Sequence, residues 1–178
     1  SLGDSVFILT STPGVLQYSP GKQLATVKLS GGDWSVGNAI ASYIGNLYIL
    51  SPQNNQIYRH SRTSIGFSAS SSYIKRTNTA SVTKGTALAI NGSILVLDGT
   101  DKITNFSNGI GEASSVKDLP ASTKGLSKLQ LVGNQSLIAL CDDKQHLVSI
   151  NLQDTGFAYK QQYVTPNETI TDFSISAD

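Results

Sequence analysis

Four short apolar runs punctuate an otherwise polar chain: Val6-Phe7-Ile8-Leu9, Leu47-Tyr48-Ile49-Leu50, Ile94-Leu95-Val96-Leu97 and Leu137-Ile138-Ala139-Leu140. Successive runs begin 41, 47 and 43 residues apart, and stepping from the last across the chain ends to the first takes 47 more. A period of that length marks a repeat architecture, in which each unit buries its apolar face against its neighbours.

Each run sits in the same local series of short strands. Ala39-Ile40-Ala41-Ser42-Tyr43 precedes Leu47–Leu50, and Gln56-Ile57-Tyr58-Arg59-His60 follows it. The next unit reads Ala87-Leu88-Ala89-Ile90, a turn at Asn91-Gly92, the apolar run, a turn at Asp98-Gly99-Thr100-Asp101, then Lys102-Ile103-Thr104-Asn105-Phe106. Asn-Gly and Asp-Gly tolerate the positive φ of tight hairpins, so these strands are antiparallel neighbours. A further unit runs Lys128–Leu131, Leu137–Leu140, a turn through Asp142–Gln145, and His146–Ile150.

A fourth, outer strand is expected in each unit, at Leu24–Leu29, Tyr73–Arg76, Ser115–Lys117 and Tyr159–Val164. Four strands per unit is the arithmetic of a β-propeller blade. The first unit lacks an opening strand, whereas Thr169-Ile170-Thr171-Asp172-Phe173-Ser174-Ile175-Ser176 reads as an opening strand with nothing after it. Joining the two would complete one blade and cover edges that an open ring leaves unpaired.

The fold expected is therefore all-β: one domain over 1–178, a four-bladed β-propeller of four-stranded antiparallel blades closed by the C-terminal strand joining the N-terminal blade. The blades fall at about 1–30 plus 169–178, 36–80, 85–120 and 126–165. Helix should be nearly absent, with Ser64–Ser72 and Gly109–Ser114 read as turn-like. A half-ring pairing with a second copy to make eight blades is the competing architecture, and the closed monomer is the preferred one.

The phrases Asn46–Tyr58, Leu88–Gly99 and Lys160-Gln161-Gln162-Tyr163-Val164 resemble bacterial propeller repeats of the NHL and YVTN type. More narrowly they are similar to the propeller C-terminal to a PPM-type phosphatase-like domain and a membrane span in uncultured small-genome bacteria. The resemblance implies an extracytoplasmic sensor or scaffold module, and it carries no catalytic role, because no phosphatase motif or metal-binding aspartate set occurs here.

A net charge of +1 with 14% charged residues gives no field to gather nucleic acid or anionic lipid. The apolar runs fall far short of the roughly 18 to 20 residues that cross a bilayer. Abundant Ser, Thr, Asn and Gln lean toward an exported surface, and a signal or anchor could be missing from the sequence as given. A single cysteine, Cys141, excludes an internal disulfide.

Candidate chemistry is sparse. His60 and His146 have no carboxylate or cysteine at ligand spacing, so no metal site is expected. Asp98, Asp101, Asp142 and Asp143 lie in turns, where a short acid bonds the backbone; calcium coordination is the less favoured reading, since no Asp-x-Asp-x-Asp loop occurs. Cys141 would need a base and a thiolate-stabilising setting to act as a nucleophile. The sequons at Asn91, Asn105, Asn134 and Asn167 are expected by chance in a chain this rich in Ser and Thr. Most tyrosines should pack between blades, leaving Trp34, with Arg59 and His60, as the candidate binding surface.

The function expected is a non-enzymatic binding or scaffold propeller without cofactor or metal, engaging a protein or peptide. The alternatives are a carbohydrate-binding propeller with equivalent pockets in every blade, and a hydrolase with a carboxylate site at the channel mouth.

Overall fold

A computed structural model describes residues 5–11, 14–123, 125–154, 156–164 and 168–175. The described chain is all-β, with sixteen strands and three one-turn 3-10 segments. It divides into two compact units, Ser1–Thr83 with Asn108–Ile110, and Lys84–Ser107 with Gly111–Asp178.

In the first unit, β1 (Val6–Thr10), β2 (Gly14–Tyr18) and β3 (Ala25–Val27) form a three-stranded antiparallel meander. A second sheet orders β4 (Ala39–Tyr43), β5 (Asn46–Ser51) and β6 (Gln56–Thr63), with β7 (Gly66–Phe67) and β8 (Ser71–Ser72) both pairing with β6. The β4–β5 turn places Ile44 at φ 40° and Gly45 at φ 73°, as a two-residue hairpin of this twist demands. Ile44 is a β-branched residue in the left-handed region, and the Asn46 amide braces it by donating to its carbonyl at 2.9 Å. The apolar run of β5 is sealed between β4 and β6, with Leu47, Ile49 and Leu50 wholly buried.

The second unit holds two four-stranded meanders, β9 (Ala87–Ile90), β10 (Ile94–Leu97), β11 (Lys102–Ser107), β12 (Ile110–Lys117), and β13 (Leu126–Val132), β14 (Ser136–Cys141), β15 (His146–Gln153), β16 (Gly156–Val164). Parallel pairing of β12 with β16, Val116 opposite Phe157 and Lys117 opposite Ala158, joins them into one eight-stranded sheet. The first strands β9 and β13 also lie side by side. Between the meanders is a core of Leu95, Leu97, Ile103, Val116, Leu137, Val148, Ile150 and Phe157, with Cys141 inside it. Each such side chain, fully buried, contributes about 1.5–3 kcal/mol through removal of apolar area from water.

The expectation of four separate four-stranded blades is thus corrected to sheets of three, five and eight strands. Closure by a C-terminal strand is corrected as well: 168–175 belongs to no sheet, and the end of that expected strand, Ser176, lies outside the described residues. Two stretches read as turns contain strands. Ser64–Ser72 holds β7 and β8, which displace the outer strand expected at Tyr73–Arg76. Gly109–Ser114 enters β12, because the buried Phe106 ring lies where a side chain on Gly111 would stand. A glycine-rich polar stretch becomes a strand here by leaving room for a neighbour's aromatic ring.

Candidate functional site

Strands of a meander alternate in direction, so the β10–β11 turn, the β12–β13 connection and the β14–β15 turn emerge at the same end of the second unit. The parallel register of β12 with β16 is consistent with this alternation. Three separate segments, Gly99–Asp101, Val116–Ala121 and Gly125 with Asp142, there enclose a cavity of about 670 Å³. That volume lies in the range of small-molecule sites.

Local chemistry shapes each wall. Asp98 Oδ1 accepts the Thr100 backbone N–H at 2.9 Å and also its hydroxyl, closing an Asx turn that presents Asp101. Asp118 leaves β12 at φ 59°, a conformation aspartate tolerates better than bulkier residues. Leu119-Pro120 then leads into the 3-10 turn Ala121–Thr123, where the buried Thr123 donates its N–H and hydroxyl to the Pro120 carbonyl at 2.9 and 2.7 Å. Backbone bonds stitch the segments together: Val116 N–H to Asp101 O at 2.8 Å, Leu126 N–H to Thr100 O at 2.9 Å, and Asp142 N–H to Gly125 O at 2.8 Å.

The lining combines three acids, Asp101, Asp118 and Asp142, with an apolar wall of Val116, Leu119, Pro120 and Ala121, and it contains no basic residue. Among the described residues, no three His, Cys, Asp or Glu side chains converge to hold a metal ion, the three pocket aspartates included. The corresponding turn in the first unit is Pro52–Asn55, where Asn55 Oδ1 instead accepts the Val82 N–H at 2.7 Å. The acidic lining is therefore not repeated there, as a lectin-like set of equivalent pockets would require.

The residues singled out by sequence fall elsewhere. Trp34 opens a 3-10 turn and is half-buried, its ring edge-on to His60 with centroids 6.0 Å apart. His60 is wholly buried, its Nδ1–H donating to the Ser68 carbonyl at 3.1 Å and its Nε2 without a partner. Burial pushes the His60 pKa down, opposed in part by that hydrogen bond. Arg59 is exposed on the opposite face of β6, across from Tyr48, because adjacent strand residues point to opposite sides. Tyr48 meets Tyr73 edge-on at 6.0 Å between centroids. Trp34 and His60 are thus brought together, and Arg59 is directed away from them.

His146 pairs through Nδ1 with Asp143, whose other oxygen accepts the N–H groups of Gln145 and His146 at 2.9 and 3.1 Å. Partial burial favours the protonated Asp143 carboxyl, but these hydrogen bonds and the His146 ring outweigh it and hold the pKa low. Burial, together with the nearby charges of Asp143 and Asp142, pushes the Cys141 thiol up to about 12. Asn91, half-buried, donates to the Asn134 carbonyl at 3.3 Å, and Asn167 lies outside the described residues.

No protein-family profile and no curated protein sequence matches the chain. Solved structures do. A streptogramin B lyase structure matches at TM-score 0.58 and 15% identity, covering 93% of this chain and 53% of that one. A putative 6-phosphogluconolactonase from Bacteroides uniformis matches at TM-score 0.58 and 13% identity, covering 94% and 55%. The nidogen/laminin complex matches at TM-score 0.63 and 12% identity, covering 95% and 62%. The chain spans a little over half the length of these proteins. The expectation that it is not an enzyme does not stand, since the neighbours include structures named as a lyase and a lactonase. Among the described residues, no helix is long and apolar enough to cross a membrane. At such identities the similarity shows the fold alone, and that fold is the β-propeller.

Proposed function

We propose that the chain is a ligand-binding propeller domain whose recognition site is the cavity between Gly99–Asp101, Val116–Ala121 and Asp142. The observation that carries this reading is the lining: three acids from three segments beside an apolar wall, on a frame of backbone hydrogen bonds. The ligand is a small molecule or peptide side chain with an ammonium or guanidinium group and an apolar body. The acids attract the cation, and Val116, Leu119 and Pro120 take the apolar part. Display on turns held by sheets limits the ordering cost of binding.

Calorimetric titration with agmatine, a guanidinium amine with an aliphatic spacer, tests the reading. Measurable binding is expected, weakened about 10- to 100-fold by Asp118→Asn or Asp142→Asn, since a hydrogen bond to a charged group is worth about 1.5–3 kcal/mol. Equal affinity for the carboxylate counterpart, or indifference to both substitutions, would exclude it.

The same three acids favour a second reading, hydrolysis with one carboxyl as acid and another as base. Turnover that Asp→Asn variants abolish while binding persists would select it. We further propose an extracytoplasmic placement and kinship with propellers downstream of PPM-type domains. Their support is the low charge content and the repeat phrases, and their test is the neighbouring sequence of the gene product.

A further inference from the structure

Among the described residues, five that are not glycine take a positive φ. Asn55, Asn108 and Asp118 are of the types that tolerate it. Ile44 and Lys144 are not, and in each the carbonyl is held by a donor. The Asn46 side-chain amide donates to the Ile44 carbonyl at 2.9 Å, and the Ile170 backbone N–H donates to the Lys144 carbonyl at 2.7 Å, where Lys144 sits at φ 57°. The first brace is local. The second comes from the C-terminal segment 168–175, within the same compact unit.

That segment is lightly secured. It belongs to no sheet, and side chains of β13 hold it. Gln130 Nε2 donates to the Phe173 carbonyl at 2.7 Å, Gln130 Oε1 accepts the Ile175 N–H at 3.1 Å, and Lys128 pairs with Asp172 at 3.6 Å. Both members of the ion pair are exposed, so water screens it. A segment without a strand ladder opens at lower cost than the sheet beside it.

Lys144 also closes the turn that bears a cavity acid. Its N–H donates to the Cys141 carbonyl at 2.9 Å, which makes Asp142 and Asp143 the two corners of the turn. Asp142 lines the cavity, and its N–H donates to the Gly125 carbonyl at 2.8 Å. One four-residue turn thus meets the cavity at its first corner and the C-terminal segment at its last residue.

We propose that 168–175 is a strap whose docking sets the affinity of the cavity, by holding Lys144 in the left-handed region and so fixing the corner that bears Asp142. The proposal rests on the reading of that cavity as the recognition site. With the strap docked, Lys144 keeps its φ and the turn stays closed. With the strap released, the Ile170 brace is lost, Lys144 relaxes to an ordinary φ, and the turn opens beneath Asp142. Linkage makes the effect reciprocal, so a ligand in the cavity tightens the strap.

Amide hydrogen exchange of the 178-residue chain, read by NMR, tests this without a ligand. Gln130→Leu removes both contacts of the amide and is expected to speed exchange at Ile170 and Ile175 about 10-fold or more. Lys144 and Asp142 should follow, with the amides of β10 unchanged. In agmatine titrations the same substitution is expected to weaken binding about 5- to 10-fold. In a Lys144→Gly background, where glycine needs no brace at positive φ, it should free the strap and leave both Asp142 protection and agmatine affinity as they were. Freed strap amides with unchanged protection at Lys144 and Asp142 would overturn the proposal. So would strap amides that Gln130→Leu leaves protected, or agmatine affinity indifferent to it. Failure of agmatine to bind the unaltered protein would sink the cavity reading, and the exchange comparison alone would then decide for or against the strap.

Discussion

The carboxylate of Asp142 fills the space in which a Cβ on Gly125 would lie, and the Gly125 carbonyl accepts the Asp142 N–H at 2.8 Å. Gly125 also sits at φ 73°. One residue thus answers two demands, a left-handed backbone and the close approach of a pocket acid. Gly125→Ala meets both penalties and is expected to cost about 2 kcal/mol or more, read as a lowered denaturation midpoint. Adding Asp142→Gly should recover the part due to collision and leave the part due to φ, a coupling that a double-mutant cycle measures.

The environment of His60 gives stability a pH dependence of definite sign. Burial lowers its folded pKa below the unfolded value near 6.5, so the unfolded chain takes up the proton first as pH falls. The contribution is fully present above that unfolded value and is lost as pH drops from it toward the folded pKa. Urea midpoints measured across that interval should decline in the unaltered protein, with a smaller decline for His60→Phe, which keeps an aromatic ring against Trp34.

Cys141 is expected to be inert in the folded protein. Its side chain is wholly buried and its thiol is pushed up to about 12, so neither access nor thiolate is available at neutral pH. Iodoacetamide at pH 8 should leave the native protein unmodified, as read by mass spectrometry, and alkylate it fully in urea. Rapid modification of native protein would contradict the burial described.

Equivalent positions of the repeat should differ in energetic weight. Leu97→Ala and Leu137→Ala remove wholly buried side chains and are expected to cost about 2–5 kcal/mol each. Ile8→Ala, at a position 42% exposed, should cost about 1 kcal/mol or less. Equal losses at the three sites would mean that β1 is covered like the other runs.

The strands were legible because period, turn residues and apolar runs agreed. Asn91-Gly92 turns between β9 and β10, and Asp98–Asp101 between β10 and β11, as the residues there require. The end of β12, Ser115–Lys117, is legible as a strand, whereas its opening half reads as a turn, because the reason for Gly111 is Phe106, a neighbour whose position is tertiary information. The trio Trp34, Arg59 and His60 cannot share one face, since Arg59 and His60 are consecutive in a strand and so face opposite sides. Asp101 and Asp142 read from the sequence as turn residues, whereas Asp118 lies outside the turns that the sequence marks. The signal that unites them is alternation of strand direction, which sends the turns after β10 and β14 and the exit of β12 to one end. The cavity's volume had no such signal, because it depends on how Leu119-Pro120 and the following 3-10 turn pack.

Backbone amide shifts in an NMR titration with agmatine test the recognition site most directly. The account predicts saturable shifts at Gly99, Thr100, Asp101, Asp118, Gly125 and Asp142, lost in Asp118→Asn combined with Asp142→Asn. Shifts centred instead on Trp34 and Arg59, or no saturable shifts at all, would contradict it.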